Sequence, residues 1–111
     1  MTTRQDKVNS LLQRLVAAQI IKEDYEGITG LVTILRADVT ADLEQANIYF
    51  SVVGQDPDEV LRILKKNIYG IQGMLNANLK MRKVPRIAFL TDASGEYASH
   101  ISDILHQLPK S

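Results

Sequence analysis

Seven lysine and arginine side chains lie between Val60 and Leu90, and the same stretch holds no Asp or Glu. They are Arg62, Lys65, Lys66, Lys80, Arg82, Lys83 and Arg86. Cations gathered away from carboxylates are suited to one kind of chemistry: they bind phosphate through charge-assisted hydrogen bonds and release its counterions. The chain as a whole is neutral, with 13 Lys+Arg against 13 Asp+Glu, so the segregation carries the information rather than the total. Positions 1–22 hold Arg4, Lys7, Arg14 and Lys22 against Asp6. Positions 23–59 hold Glu23, Asp24, Glu26, Asp38, Asp42, Glu44, Asp56, Asp58 and Glu59 against Arg36 alone. A polyanion would meet one attractive face on an otherwise acidic or mixed particle.

Other chemistries find less support. There is no Cys, which removes disulfides and thiolate metal sites. His100 and His106 are six residues apart, a spacing that does not stack them on one helical face. Asp92 and Ser94 fall in a turn where capping explains both, and no base stands beside them in sequence. No enzyme, metal or cofactor is expected. At 111 residues, 45% hydrophobic and 23% charged, the chain reads as a single domain, 1–111, of ordinary globular composition. No apolar run approaches the ~20 residues of a membrane span, so a cytoplasmic protein without a membrane partner is expected.

The elements that must carry the cations follow from periodicity. Thr3 with Asp6 three residues on is a capping-box variant. Val8, Leu11, Leu12, Leu15, Val16 and Ile20 then recur at helical spacing, giving a helix from about Arg4 to Lys22. Its charges read as a solvated face or a second set of phosphate contacts. Leu31 to Leu35 reads as a strand covered on both faces or paired on both edges, and Arg36 to Glu44 as an acidic turn. Ala46, Ile48, Phe50 and Val52 alternate with Gln45, Asn47, Tyr49 and Ser51, a half-buried strand. The two strands should pair as an antiparallel hairpin.

Asp56-Pro57-Asp58-Glu59 opens a helix, with Asp56 as N-cap and Pro57 at N1. The apolar stripe Leu61, Leu64, Ile68, Ile71, Leu75 and Leu79 continues to Lys80. Such a helix would be roughly 36 Å long, so a break is expected, at Gly70-Ile71-Gln72-Gly73. Pro85 enters a third strand, Ile87 to Leu90, which the crossover should place parallel to the second. Tyr97, Ile101, Ile104, Leu105 and Leu108 mark a last helix. The result is α+β: a three-stranded mixed sheet with helices on one face.

An order α-β-β-α-(Gly break)-α-β-α is that of a type II KH-like domain, in which a GxxG loop between two helices meets nucleic acid. The chain also resembles the ribosome-binding factor A family over about residues 4–108. Gly30 to Ile34 and Asp38 to Gly54 carry the likeness, as do Leu79 to Phe89 and Thr91 to Ser94 with Tyr97. Met81-Arg82-Lys83-Val84-Pro85 is among the best-matching parts. The resemblance implies a non-enzymatic, monomeric factor that binds 16S rRNA in the free 30S subunit and assists its late maturation. It also implies an Ala-x-Gly kink in place of the GxxG loop. Here the corresponding stretch is near Asn67-Ile68-Tyr69-Gly70, without the alanine. Gly70 could serve as the kink, or Gly70 to Gly73 could form an ordinary KH loop.

The candidate RNA-binding residues are Lys65, Lys66, Lys80, Arg82, Lys83 and Arg86 for phosphate, with Gly70 and Gly73 permitting close approach. Tyr69 could stack a base or half-bury against the sheet. A different class of function is a protein-interaction module that uses the acidic 23–59 region on a basic partner such as a ribosomal protein.

Overall fold

The computed structural model describes residues 2–91. The elements are α1 (Arg4–Glu23), β1 (Leu31–Val39), β2 (Gln45–Val53), α2 (Pro57–Lys66), α3 (Ile68–Asn78) and β3 (Arg86–Thr91). The sheet order is β1-β2-β3, with β1 and β2 antiparallel and β2 and β3 parallel. The fold is α+β and KH-like, as the order of elements predicts. The turn at Asp92–Gly95 and the helix from Tyr97 to Leu108, with His100 and His106, lie outside the described residues.

The helices cover one face of the sheet. Leu12 and Val16 of α1, Val60 and Leu64 of α2, and Ile71 and Leu75 of α3 are buried over Ile48, Phe50, Ile87 and Phe89. Phe50 and Phe89 meet edge to face, with ring centroids 6.4 Å apart, across the parallel pair at the sheet centre.

Helix α1 carries two adjacent stripes with different tasks. Val8, Leu12, Val16 and Ile20, four apart, enter the core. Gln5, Asn9 and Gln13, also four apart, run along the β1 edge and hydrogen-bond its backbone. The Val39 N–H donates to Asn9 Oδ1 at 2.8 Å, and Gln5 Nε2 donates to the Val39 carbonyl at 3.2 Å. Gln13 Nε2 donates to the carbonyls of Ile34 and Leu35 at 3.1 and 3.3 Å. These amides occupy groups that an edge strand would otherwise offer to another chain. The capping box closes the start of the helix: the Asp6 N–H donates to Thr3 Oγ1, and the Thr3 N–H to Asp6 Oδ2.

Strand β1 departs from the sequence expectation in two ways. It does not end at Leu35 but runs through Arg36 to Val39. It is also covered on one face only, leaving Leu31 and Leu35 exposed on the other. A bulge explains both. The pairing register shifts between Ile34 and Arg36, so Leu35 is the extra residue. Alternation breaks there, and Ala37 and Val39 return to the core face behind the polar Arg36 and Asp38.

The β2–α2 turn is locked from two sides. Gly54 has φ +89°, a conformation that favours glycine. Next to it, Gln55 Oε1 accepts from the N–H groups of Thr29 and Gly30 at 2.8 and 3.0 Å. Its Nε2 donates to the Gly27 carbonyl and to Glu59 Oε1. Together these bonds anchor the loop before β1 to the start of α2. Asp56 caps α2, accepting from the Asp58 N–H at 3.1 Å, with Pro57 in the first turn.

The helix break is not where the glycines are. Gly70 and Gly73 lie inside α3, and the interruption is at Asn67, between α2 and α3. Asn67 has φ −101° and ψ 15°, and its side-chain Nδ2 donates to the Ile63 carbonyl at 2.8 Å. That bond competes with the main-chain ladder and turns the axis. Two helical glycines cost about 2 kcal/mol together. Burial of Ile71 and Leu75, each worth about 1.5–3 kcal/mol, outweighs this and holds the segment helical.

Asn9→Ala leaves the Val39 N–H without its side-chain acceptor while removing little apolar surface. We expect a loss of about 1–3 kcal/mol in urea unfolding, the cost of an unmade bond at a part-buried donor.

Candidate nucleic-acid interface

The segment from Leu79 to Arg86 presents its cations by anchoring everything else. Leu79 and Pro85 are buried, and Met81 and Val84 pack partly against the core. Lys80, Arg82, Lys83 and Arg86 are exposed. A chain pinned at both ends by apolar residues has its polar side chains pushed outward, and here those are all cationic.

Two further ties fix the segment. Gln72 of α3 donates from Nε2 to the Pro85 carbonyl at 2.9 Å and accepts the Ile87 N–H on Oε1 at 3.0 Å. The Arg86 N–H donates to the Glu44 carbonyl at 2.9 Å, joining the segment to the β1–β2 hairpin. The hairpin tip is itself ordered by Asp42, whose Oδ1 accepts from Thr40 Oγ1 at 2.6 Å and from the Glu44 N–H at 3.0 Å. The Thr40 hydroxyl and the Glu44 N–H hold the Asp42 carboxyl below the ordinary aspartate value of 3.8, with a smaller pull from Lys83.

The hairpin therefore brings carboxylates to the basic segment. Lys83 Nζ lies 3.6 Å from Glu44 Oε2, with 72% and 54% of the two side chains exposed. A cleft of about 190 Å³ is lined by Arg4, Asp42, Leu43, Glu44, Met81, Arg82 and Lys83. Arg4, at the start of α1, joins the cations here; its helix is distant in sequence, and only the fold could reveal the meeting. Among the described residues the hairpin covers one side of this group, and no second carboxylate reaches it within ion-pair distance.

The remaining candidates are arranged around α3. Lys65 and Lys66 are exposed in the last turn of α2, where their charge also suits the helix C-terminus. The 11 residues of α3 put about 16 Å of helix between Lys66 and the Lys80 end of the basic segment, while Arg86 at its other end comes back beside Ile68 and Tyr69. Lys65 and Lys66 share none of that segment's clefts. Helix α3 carries no charged residue at all. Gly70 and Gly73 form no loop, which corrects both the KH-loop and the glycine-kink expectations. Among the described residues a Cβ at either would meet no atom within 4 Å, so their packing does not account for the glycines. Tyr69 does not half-bury against the sheet: it is 90% exposed, and with Arg86 it lines a groove between α3 and β3.

Comparison with known proteins bears on this arrangement. The family model for ribosome-binding factor A matches residues 4–105. The chain belongs to the ribosome-binding factor A family. The ribosome-binding factor A of Bdellovibrio bacteriovorus is 32% identical over 104 residues, covering 92% of this chain and 78% of its own. That of Citrifermentans bemidjiense is 32% identical over 112 residues, covering 97% and 92%. Among solved structures, the crystal structure of ribosome-binding factor A from Thermus thermophilus superposes with a TM-score of 0.72 at 21% identity, over 78% of this chain and 93% of its own. A homology model of Thermus thermophilus ribosome-binding factor A, fitted into a cryo-electron-microscopy map of its complex with the 30S subunit, gives a TM-score of 0.64 at 23% identity, over 77% and 92%. Within the ribosome-binding factor A family, then, this chain turns its helix pair at Asn67, inside the stretch where the resemblance puts an Ala-x-Gly kink.

Two outcomes check the geometry. Gly70→Ala and Gly73→Ala each raise the unfolding free energy by ~1 kcal/mol in urea melts, because each replaces a helical glycine whose Cβ would enter open space. Asp42 should give an acid signature. Its carboxyl is depressed in the folded state, so its contribution is complete above pH 3.8 and is lost as pH falls through the folded value. The stability gap between the native protein and Asp42→Asn is therefore present at neutral pH and narrows as the pH falls below 3.8 in parallel urea melts.

Proposed function

We propose that this chain is a non-enzymatic assembly factor that binds 16S rRNA in the free 30S subunit and assists its late maturation in the cytoplasm. The observation that carries the reading is the outward set Lys80, Arg82, Lys83 and Arg86 on a segment pinned by Leu79 and Pro85. Family membership supports the ribosome as the particle, and the complex of the Thermus relative supports its small subunit. Lys65 and Lys66 extend the cationic surface along the helix pair, and Arg4 adds to it from α1. Phosphate contacts of this kind fix position and affinity and read no sequence.

Glu44 beside Lys83 does not argue against phosphate. An exposed pair of this sort is worth about 0–1 kcal/mol, and an incoming phosphate can replace it. The family sets the first expectation for a partner; a basic ribosomal protein held by Asp42 and Glu44 is the second and would use the opposite charges. None of the described helices is long and apolar enough to cross a membrane.

Sedimentation of the purified protein with 30S and 70S particles over a salt series tests the reading. Four phosphate contacts give a log–log salt slope of about −3. Lys80/Arg82/Lys83→Glu should abolish co-sedimentation with 30S particles and flatten that slope, whereas Asp38/Asp42/Glu44→Lys should leave binding intact or strengthen it. A flat salt response, or loss of binding only in the acidic-to-lysine variant, would replace RNA by a protein partner.

A further inference from the structure

The groove between α3 and β3 has the composition of a binding site for one unpaired nucleotide. Its volume is about 380 Å³, and Ile68, Tyr69, Gln72, Arg86 and Ile87 line it. Tyr69 is 90% exposed, and among the described residues no large apolar or aromatic side chain is more so. An aromatic ring left in water gives up the burial that usually stabilises it, about 1.5–3 kcal/mol for a side chain of this size. The ring is at the start of α3, immediately after the turn at Asn67, and among the described residues it makes no aromatic pair.

Arg86 lines the same groove, exposed at the first position of β3, with its N–H held on the Glu44 carbonyl. Among the described residues no carboxylate lies within ion-pair distance of its guanidinium. Gln72, also in the lining, is held in place by its hydrogen bonds. It spends its amide on Pro85 and Ile87, so it sets the width of the groove and is not free to read a base. The side chains of Ile68 and Ile87 supply an apolar surface.

We propose that an unpaired base of the bound RNA stacks on Tyr69 while Arg86 holds its phosphate. The inference rests on the RNA-binding reading and deepens it, since the basic segment alone accepts duplex and single strand alike. Charge complementarity selects the occupant. An apolar side chain of a protein would satisfy Tyr69 and Ile68 but leave Arg86 without an anion. A nucleotide satisfies both, having a π-face and a phosphate within one residue. A paired base inside a duplex cannot present its face to the ring, so Tyr69 would distinguish single-stranded from double-stranded RNA.

The test compares Tyr69→Ala, Tyr69→Phe and Tyr69→Leu for binding to an eight-nucleotide single-stranded RNA, to the same sequence as a duplex, and to its abasic analogue. The side chain is exposed, so thermal melts should be unchanged across the three. Tyr69→Ala should weaken single-strand binding about tenfold, within the range for loss of one stacked base. It should leave duplex and abasic binding within twofold. Tyr69→Phe should bind like the native protein, and Tyr69→Leu should fall with Tyr69→Ala. Equal losses on single-strand and duplex would overturn the stacking subsite. So would a Tyr69→Leu that binds as well as Tyr69→Phe, which would mark a plain apolar contact. Lys80/Arg82/Lys83→Glu serves as the control for the reading beneath. If it abolishes binding to both RNAs while Tyr69→Ala changes nothing, RNA binding stands and the subsite fails. If it changes neither, both fail.

Discussion

The structure depends on how the chain passes from α3 to β3. This passage has to do two opposed things: close the core and expose charge. Leu79 and Pro85 do the first by burial, and Gln72 secures it by bonding both sides of the turn, at the Pro85 carbonyl and the Ile87 N–H. A flexible loop of the same composition would scatter its lysines and arginines, and each would lose side-chain entropy on meeting a ligand. Anchoring the backbone removes part of that cost before any ligand arrives.

The hairpin is the second constraint on the same surface. Its tip is ordered by Asp42 and linked to β3 through the bond from the Arg86 N–H to the Glu44 carbonyl. That link makes an acidic turn a fixed neighbour of a basic segment. The magnitudes decide what this does. One exposed ion pair between Lys83 and Glu44 is weak. Several cations acting on a polyanion together are not, because each neutralised phosphate releases counterions. The carboxylates therefore trim the attraction and set its edge, without cancelling it.

Much of this was legible in the sequence, and the failures have a common cause. The cap at Thr3, the start at Asp56-Pro57, the alternation from Gln45 to Val53 and the parallel third strand depend on local rules, and all are present. The bulge at Leu35 was hidden because a single extra residue inverts the phase of everything after it, so Arg36 to Val39 looked like a turn. Propensity points to a break at Gly70 and Gly73, yet Ile71 and Leu75 beside them are buried and hold the helix. Asn67 breaks it through a side-chain bond that no glycine rule would find. At the candidate site the cations were evident from type and spacing. The approach of Arg4 and of Glu44 was not, since both come from elements distant in sequence.

One consequence concerns α3 itself. The helix that runs from Lys66 toward Lys80 has no charge, and its outer face carries Tyr69, Gly70, Gly73, Asn76 and Ala77. A surface meant only to attract a polyanion would gain from lysines at these positions, as helix propensity would from alanine in place of glycine. Neither is there. Small residues between two groups of cations allow a backbone to come close to the helix, and a single ring at its start limits what can lie flat. On the proposed RNA-binding reading, long-range attraction falls to the cations and close contact to the uncharged helix. The stability that α3 forgoes at Gly70 and Gly73 is about 2 kcal/mol, which burial of Ile71 and Leu75 offsets for the helix as a whole. Among the described residues no contact at the glycines themselves favours them over alanine, and the open surface they leave gives the proposed RNA backbone room to approach.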